Sequence, residues 1–160
     1  MTFAFVATTA GVHVTVPERE LAVLRAVPGF LATTGETQPH VVARGRHSPP
    51  VYRDDDLADR EFHRFSGSNV DEAQQQDRQM LEAVLDRLGT GEADLTAGEA
   101  SAMVRAIGSA RIALAANNGL FELDELPSEP ESPQQMLVAF LGMIQEDLVG
   151  ALTEHTAGAA

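Results

Sequence analysis

The sequence predicts an α+β domain that is mainly helical, an N-terminal β-hairpin packed on a bundle of about five helices. Three observations carry this. Alternation with a period of two is confined to the first sixteen residues; apolar residues after Pro17 recur at helical spacing; and three helix-start signatures punctuate the chain at Asn69, Thr96 and Ser132. A chain of 160 residues suffices for one such core and is too short for two enzyme-sized units. We therefore expect a single domain over residues 1–156 and a fraying tail over 157–160.

The hairpin is Thr2-Phe3-Ala4-Phe5-Val6, a turn near Ala10-Gly11, and Val12-His13-Val14-Thr15-Val16. Two strands cannot bury a full face alone, so they must pack on helices or pair with another chain. Pro17 suits a first helical position, Glu18 and Glu20 favour the positive end of the helix dipole, and Leu21, Leu24 and Val27 share a face. Pro28-Gly29 is expected to end or bend that helix. Residues 33–50 lack periodicity and read as the longest loop. A helix begins near Arg53–Asp56 with Leu57, Ala58, Phe62 and Phe65 as its apolar stripe. Ser66-Gly67-Ser68-Asn69 is expected to break it, with Asn69 and Glu72 recapping a second helix that runs to Gly89. Thr96 and Glu99 form another capping box, opening a helix with Ala100, Met103, Val104, Ile107 and Leu114 on one face and stopping at Asn117-Asn118-Gly119. Residues 122–131 read as an acidic loop. Ser132, Pro133 and Gln135 start the last helix, whose apolar face runs from Met136 to Leu152.

Composition excludes much chemistry. Lys plus Arg number 11, all of them Arg, and Cys is absent. A Schiff base, a thiolate nucleophile, a disulfide, a cysteine-ligated zinc and a phosphate-binding P-loop lysine are all ruled out. The net charge of −13 is uneven: residues 112–160 hold eight acids and no Arg. Such a surface repels phosphate, so nucleic acid is not an expected partner. No run of about 18 to 20 consecutive apolar residues and no basic signal region stands out, so a cytoplasmic protein without membrane partners is expected. The exception in charge is His40–Arg53, where Arg44, Arg46 and Arg53 accompany His40 and His47 without an acid. A transcriptional regulator would rest on those arginines alone; a flexible, solvated loop is the favoured explanation of them.

The chemical constellations are sparse. Asp55-Asp56-Leu57-Ala58-Asp59 spells a DDxxD magnesium-diphosphate motif, but three aspartates at a helix start also complement the dipole. Asp55, Asp59 and His63 recur every four residues and can share a helix face, either to hold a divalent cation or as a surface Asp–His pair. Neither a metal nor any other cofactor is expected. The other histidines have no ligand spacing, and no nucleophile elbow or glycine-rich phosphate loop is present. Arg111 falls on the apolar side of its helix, where an unpaired guanidinium is costly, so it must snorkel or pair; Glu146 and Glu61 are the candidate partners.

The string Pro49-Pro50-Val51-Tyr52-Arg53-Asp54-Asp55, followed by Ala58 and Glu61-Phe62-His63-Arg64-Phe65, resembles the characteristic block of an actinobacterial family known only as a domain of unknown function. The resemblance extends over the Arg111 helix and the closing helix around Gln145-Glu146. It implies an actinobacterial cytoplasmic protein whose gene lies near those of a Clp-protease adaptor and a JAMM-type metallohydrolase, hence a link to protein turnover. It transfers no catalytic residue. Relatives place an aromatic where this chain has Met103, and a polar or acidic residue where it has Ser109-Ala110, so the lining of any pocket at that helix differs here.

Two functions are carried forward. The first is a non-enzymatic interaction or adaptor-like protein that binds a protein partner or a second copy of itself. The second is a small-ligand binder or enzyme with a site around Tyr52, Asp55, Glu61, Arg64 and Arg111.

Overall fold

The computed structural model of the chain describes residues 3–32, 54–119 and 130–159. Its elements run β1 (Ala4–Ala7), β2 (Gly11–Thr15), α1 (Glu18–Ala32), α2 (Asp56–Arg87), a 3-10 turn (Leu88–Thr90), β3 (Glu92–Thr96), α3 (Ala97–Asn117) and α4 (Pro133–Gly158). The mainly helical α+β class is what the sequence predicts. The basic stretch 40–53 and most of the acidic stretch 122–131 lie outside the described residues.

The hairpin forms where the alternation places it, with Phe5 opposite Val14 and Ala7 opposite Val12. Its turn is closed by Thr8 N–H donating to Gly11 O at 2.8 Å. Gly11 has φ 153°, and a Cβ there would run into the Leu95 carbonyl, so glycine is required. A third strand, β3, pairs antiparallel with β2 and makes it the central strand, Leu95 facing Val12 and Asp94 facing His13. Sequence reading misses β3 because Glu, Ala and Asp are poor strand formers. Only Ala93 and Leu95 alternate inward, and pairing with β2 supplies the stabilisation that local preference does not. The sheet thereby buries Val12, Val14, Val16 and Leu95 against the helices.

Two predicted boundaries are corrected. Helix α1 continues through Pro28 to Ala32, where Leu31 packs on the core. Helix α2 is one rod of 32 residues rather than two helices separated at Ser66–Asn69. Ser66 Oγ donates to Phe62 O one turn back at 2.8 Å, so the hydroxyl is satisfied inside the helix and offers no competing cap. Burial of Leu81, Val84, Leu85 and Leu88 anchors the carboxyl half, whereas Leu57 and Phe65 in the amino half are 65% and 70% exposed.

Helix α3 is central and packs on α1, α2, α4 and the sheet. That position explains its alanine content: Ala100, Ala106, Ala110 and Ala113 let neighbouring backbones approach on several sides. Its capping box is complete, Glu99 N–H donating to Thr96 Oγ1 at 3.2 Å and Thr96 N–H to Glu99 Oε2 at 2.9 Å. Arg87 also donates to Glu99 at 2.8 Å, and this bond chiefly holds the Glu99 carboxyl below the usual carboxylate range. The predicted left-handed stop is present at Gly119, with φ 67°. Helix α4 starts at Ser132, whose side chain accepts from Gln135 N–H, while Gln135 Oε1 accepts from Glu131 N–H. By length and hydropathy α4 is able to cross a membrane, although it contains no run of 18 purely apolar residues. It buries Leu141, Ile144, Leu148 and Ala151 in the common core and leaves its opposite side outward.

Candidate functional site

Of the five residues singled out by sequence, Tyr52 lies outside the described residues. Asp55 is the N-cap of α2, accepting from Leu57 N–H at 3.1 Å and Ala58 N–H at 3.0 Å. The helix-start role thus accounts for the first aspartate of the DDxxD spelling. Glu61 is exposed on α2, and Arg64 is exposed with its guanidinium carbon 4.8 Å from the centre of the Phe65 ring. Asp59 and His63 approach to 3.5 Å as an i, i+4 pair. With Asp55 engaged as a cap, the three-residue face does not close around one point. Among the described residues no group of three His, Asp or Glu side chains is placed to hold a metal.

Arg111 sits where helical spacing puts it, half-buried at the α3–α4 contact. Its partner is neither Glu146 nor Glu61. Nη1 donates to Gln145 Oε1 at 2.7 Å, and the Gln145 amide donates in turn to Val104 O at 3.2 Å. Gln145 was not foreseen because an amide is a weaker electrostatic partner than the carboxylate next to it. The helix rotation decides: residue 145 turns toward α3, whereas Glu146 is exposed. Two glycines make the arrangement fit. A Cβ on Gly142 would lie 3.0 to 3.3 Å from the Arg111 guanidinium, and one on Gly108 would lie 2.8 Å from Gln145 Nε2. Each helix thus lays its long polar side chain over a glycine of the other.

The pairing leaves the arginine incompletely satisfied. Its Nε is buried without an acceptor, and among the described residues no carboxylate comes within ion-pair distance of the guanidinium. A buried cation that is bonded only to a neutral amide retains an uncompensated charge. The guanidinium lines an open groove of ≈ 560 Å³ together with Ala139, Gly142, Met143, Glu146 and Val149. Asp55, Glu61 and Arg64 do not line it, so the structure does not gather the sequence-predicted residues at this place. Met143 and Val149 are exposed at the groove, and Ile112 is exposed beside Arg111 on α3.

Other polar pairs have architectural explanations. His13 and Asp94 meet across β2 and β3 at 2.8 Å. His155 Nδ1 lies 2.7 Å from Thr8 O; a carbonyl only accepts, so this nitrogen carries the proton and ties α4 to the hairpin turn. Arg105 makes a two-pronged bond to Asp77, Nε to Oδ2 at 2.8 Å and Nη2 to Oδ1 at 2.7 Å, joining α3 to α2.

Comparison with known families now bears on this geometry. A model described as a domain of unknown function (DUF2017) matches residues 3–152, spanning the described sheet, the first three described helices, most of the fourth and the Arg111 groove. The chain belongs to that family. No curated protein and no solved structure matches the chain. Membership of the DUF2017 family therefore covers the fold core as a whole and assigns no reaction to it.

Proposed function

We propose that this protein is a non-enzymatic interaction protein whose binding face is the outward side of the α3–α4 pair. The observation that carries the reading is the groove at Arg111. A half-buried guanidinium, with no carboxylate of the described residues within ion-pair distance, is flanked there by exposed Met143 and Val149. Exposed apolar side chains around one under-compensated arginine resemble the anchors of protein interfaces, where arginine and methionine are enriched. A link to protein turnover in an actinobacterial cytoplasm comes from the resemblance of the Pro49–Phe65 block and from nothing in the groove.

A photo-reactive residue in place of Met143 tests the reading in cells. Covalent adducts to protein, abolished by Val149→Glu at an exposed position of the groove, are expected. A side chain that reacts only with water would remove the basis for an interaction face.

The cation at the groove favours a second reading, a binder of a small carboxylate. In that reading Arg111 is the anchor. The roles suggested for Asp55, Glu61 and Arg64 have no counterpart in the groove lining, and Tyr52 lies outside the described residues. Isothermal titration with small mono- and dicarboxylates separates it from the first: saturable heat lost in Arg111→Gln supports it.

A further inference from the structure

The interaction face has a pattern that selects its occupant. Along α4, Met136, Ala139, Met143, Glu146, Gly150 and Thr153 are all exposed and follow alternating steps of three and four. This is the seam spacing of helices that pair side by side. Its large apolar members, Met136 and Met143, are 52% and 48% exposed and are left uncovered by the described fold. The same strip carries both halves of an ion pair that the monomer does not make. Among the described residues no carboxylate comes within ion-pair distance of Arg111, which lies over Gly142, and Glu146 stands exposed one turn further along. No Arg or Lys follows Arg111 in the chain, so no arginine or lysine of its own helix faces Glu146.

We infer that the occupant of this face is a second copy of the chain, docked α4 against α4 in antiparallel fashion about a two-fold axis. The inference rests on the reading of the groove as an interaction face. A two-fold interface must be self-complementary, with each contact made twice. An axis crossing α4 near Ile144 brings the Gly142 level of one copy opposite the Glu146 level of the other. Each Arg111 then meets the second copy's Glu146. The Met143 side chains pack across the axis, and the small residues Ala139 and Gly150 allow close approach. A generic acidic partner would satisfy Arg111 but leave Glu146 facing like charge. A second copy supplies both.

Sedimentation velocity over a concentration series tests this, using wild type, Glu146→Arg, Arg111→Glu and the double exchange, with circular dichroism to confirm folding. Wild type should be dimeric. Glu146→Arg alters an exposed residue and should fold normally; because the substitution occurs twice per dimer, it should weaken association by roughly a hundredfold. The double exchange should restore the dimer. A wild-type dimer that Glu146→Arg leaves intact would place the interface elsewhere and overturn the inference. A wild-type monomer would overturn it as well, and the reactive residue at position 143 then separates the two claims. Adducts only to other proteins refute the second copy and keep the interaction face, whereas adducts to no protein refute both.

Discussion

Gly108→Ala is expected to destabilise the protein, although the same change in an unobstructed helix stabilises it. Replacing glycine by alanine inside a helix contributes about 0.5–1 kcal/mol, mostly through the unfolded chain. At position 108 the new Cβ lies 2.8 Å from Gln145 Nε2, so the amide must retreat by about 0.6 Å to reach ordinary contact. Its bond to Val104 O is already 3.2 Å and does not survive that movement, at a cost of about 1 kcal/mol. The Arg111 to Gln145 bond, with a charged donor, is worth about 1.5–3 kcal/mol, and its weakening leaves further guanidinium hydrogens unsatisfied. The net expectation is a loss of about 1–2 kcal/mol. Gly29→Ala, where a Cβ meets nothing within 4 Å, should gain up to about 1 kcal/mol. Urea unfolding followed by circular dichroism reads both. The decisive measurement is a double-mutant cycle: in a Gln145→Ala background Gly108→Ala should become stabilising, a coupling of about 2 kcal/mol. Equal destabilisation in both backgrounds would refute the claim that the glycine exists to seat Gln145.

Three further outcomes are expected. Gly11→Ala should cost at least about 2–3 kcal/mol in chemical denaturation, because φ 153° and the Leu95 carbonyl leave no place for a side chain. Leu81→Ala should cost about 2–5 kcal/mol, since Leu81 is fully buried where α2 joins the core, whereas Phe65→Ala should change stability by less than about 0.5 kcal/mol. Glu99 gives a pH signature. Its carboxyl is held below the usual range first by Arg87, so its contribution is present above the ordinary carboxylate pKa and is lost as pH falls through the lowered value. The stability difference between wild type and Glu99→Gln should therefore shrink on acidification; a difference that is constant from pH 7 to pH 3 would contradict the ion pair.

Much of this molecule was legible in the sequence where signals are local. The hairpin alternation, the capping box of Thr96 and Glu99, the Ser132 cap and the Gly119 stop each depend on residues within four positions of one another. The failures have the opposite character. Ser66–Asn69 has the chemistry of a break, yet α2 runs through it because the buried carboxyl half holds the rod and Ser66 bonds within it. Strand β3 exists because β2 offers an edge, a partner 81 residues away at the His13–Asp94 contact. Position in the helix was enough to mark Arg111 as a residue that needs a partner. It was not enough to name Gln145, since neighbours 145 and 146 point in different directions and only the packing of α4 on α3 selects between them.

The sequence alone therefore determined the mainly helical α+β class, the helix ends that side chains cap, and the absence of lysine and cysteine chemistry. These follow from composition and short-range bonding, which are written along the chain. The tertiary structure alone decided that Arg111 faces an open groove with an amide rather than a carboxylate, that α4 leaves a regular apolar seam outward, and that Asp55, Glu61 and Arg64 do not share the groove. Those facts depend on the rotation of one helix against another, which is set by how alanines and glycines many residues apart let the backbones approach.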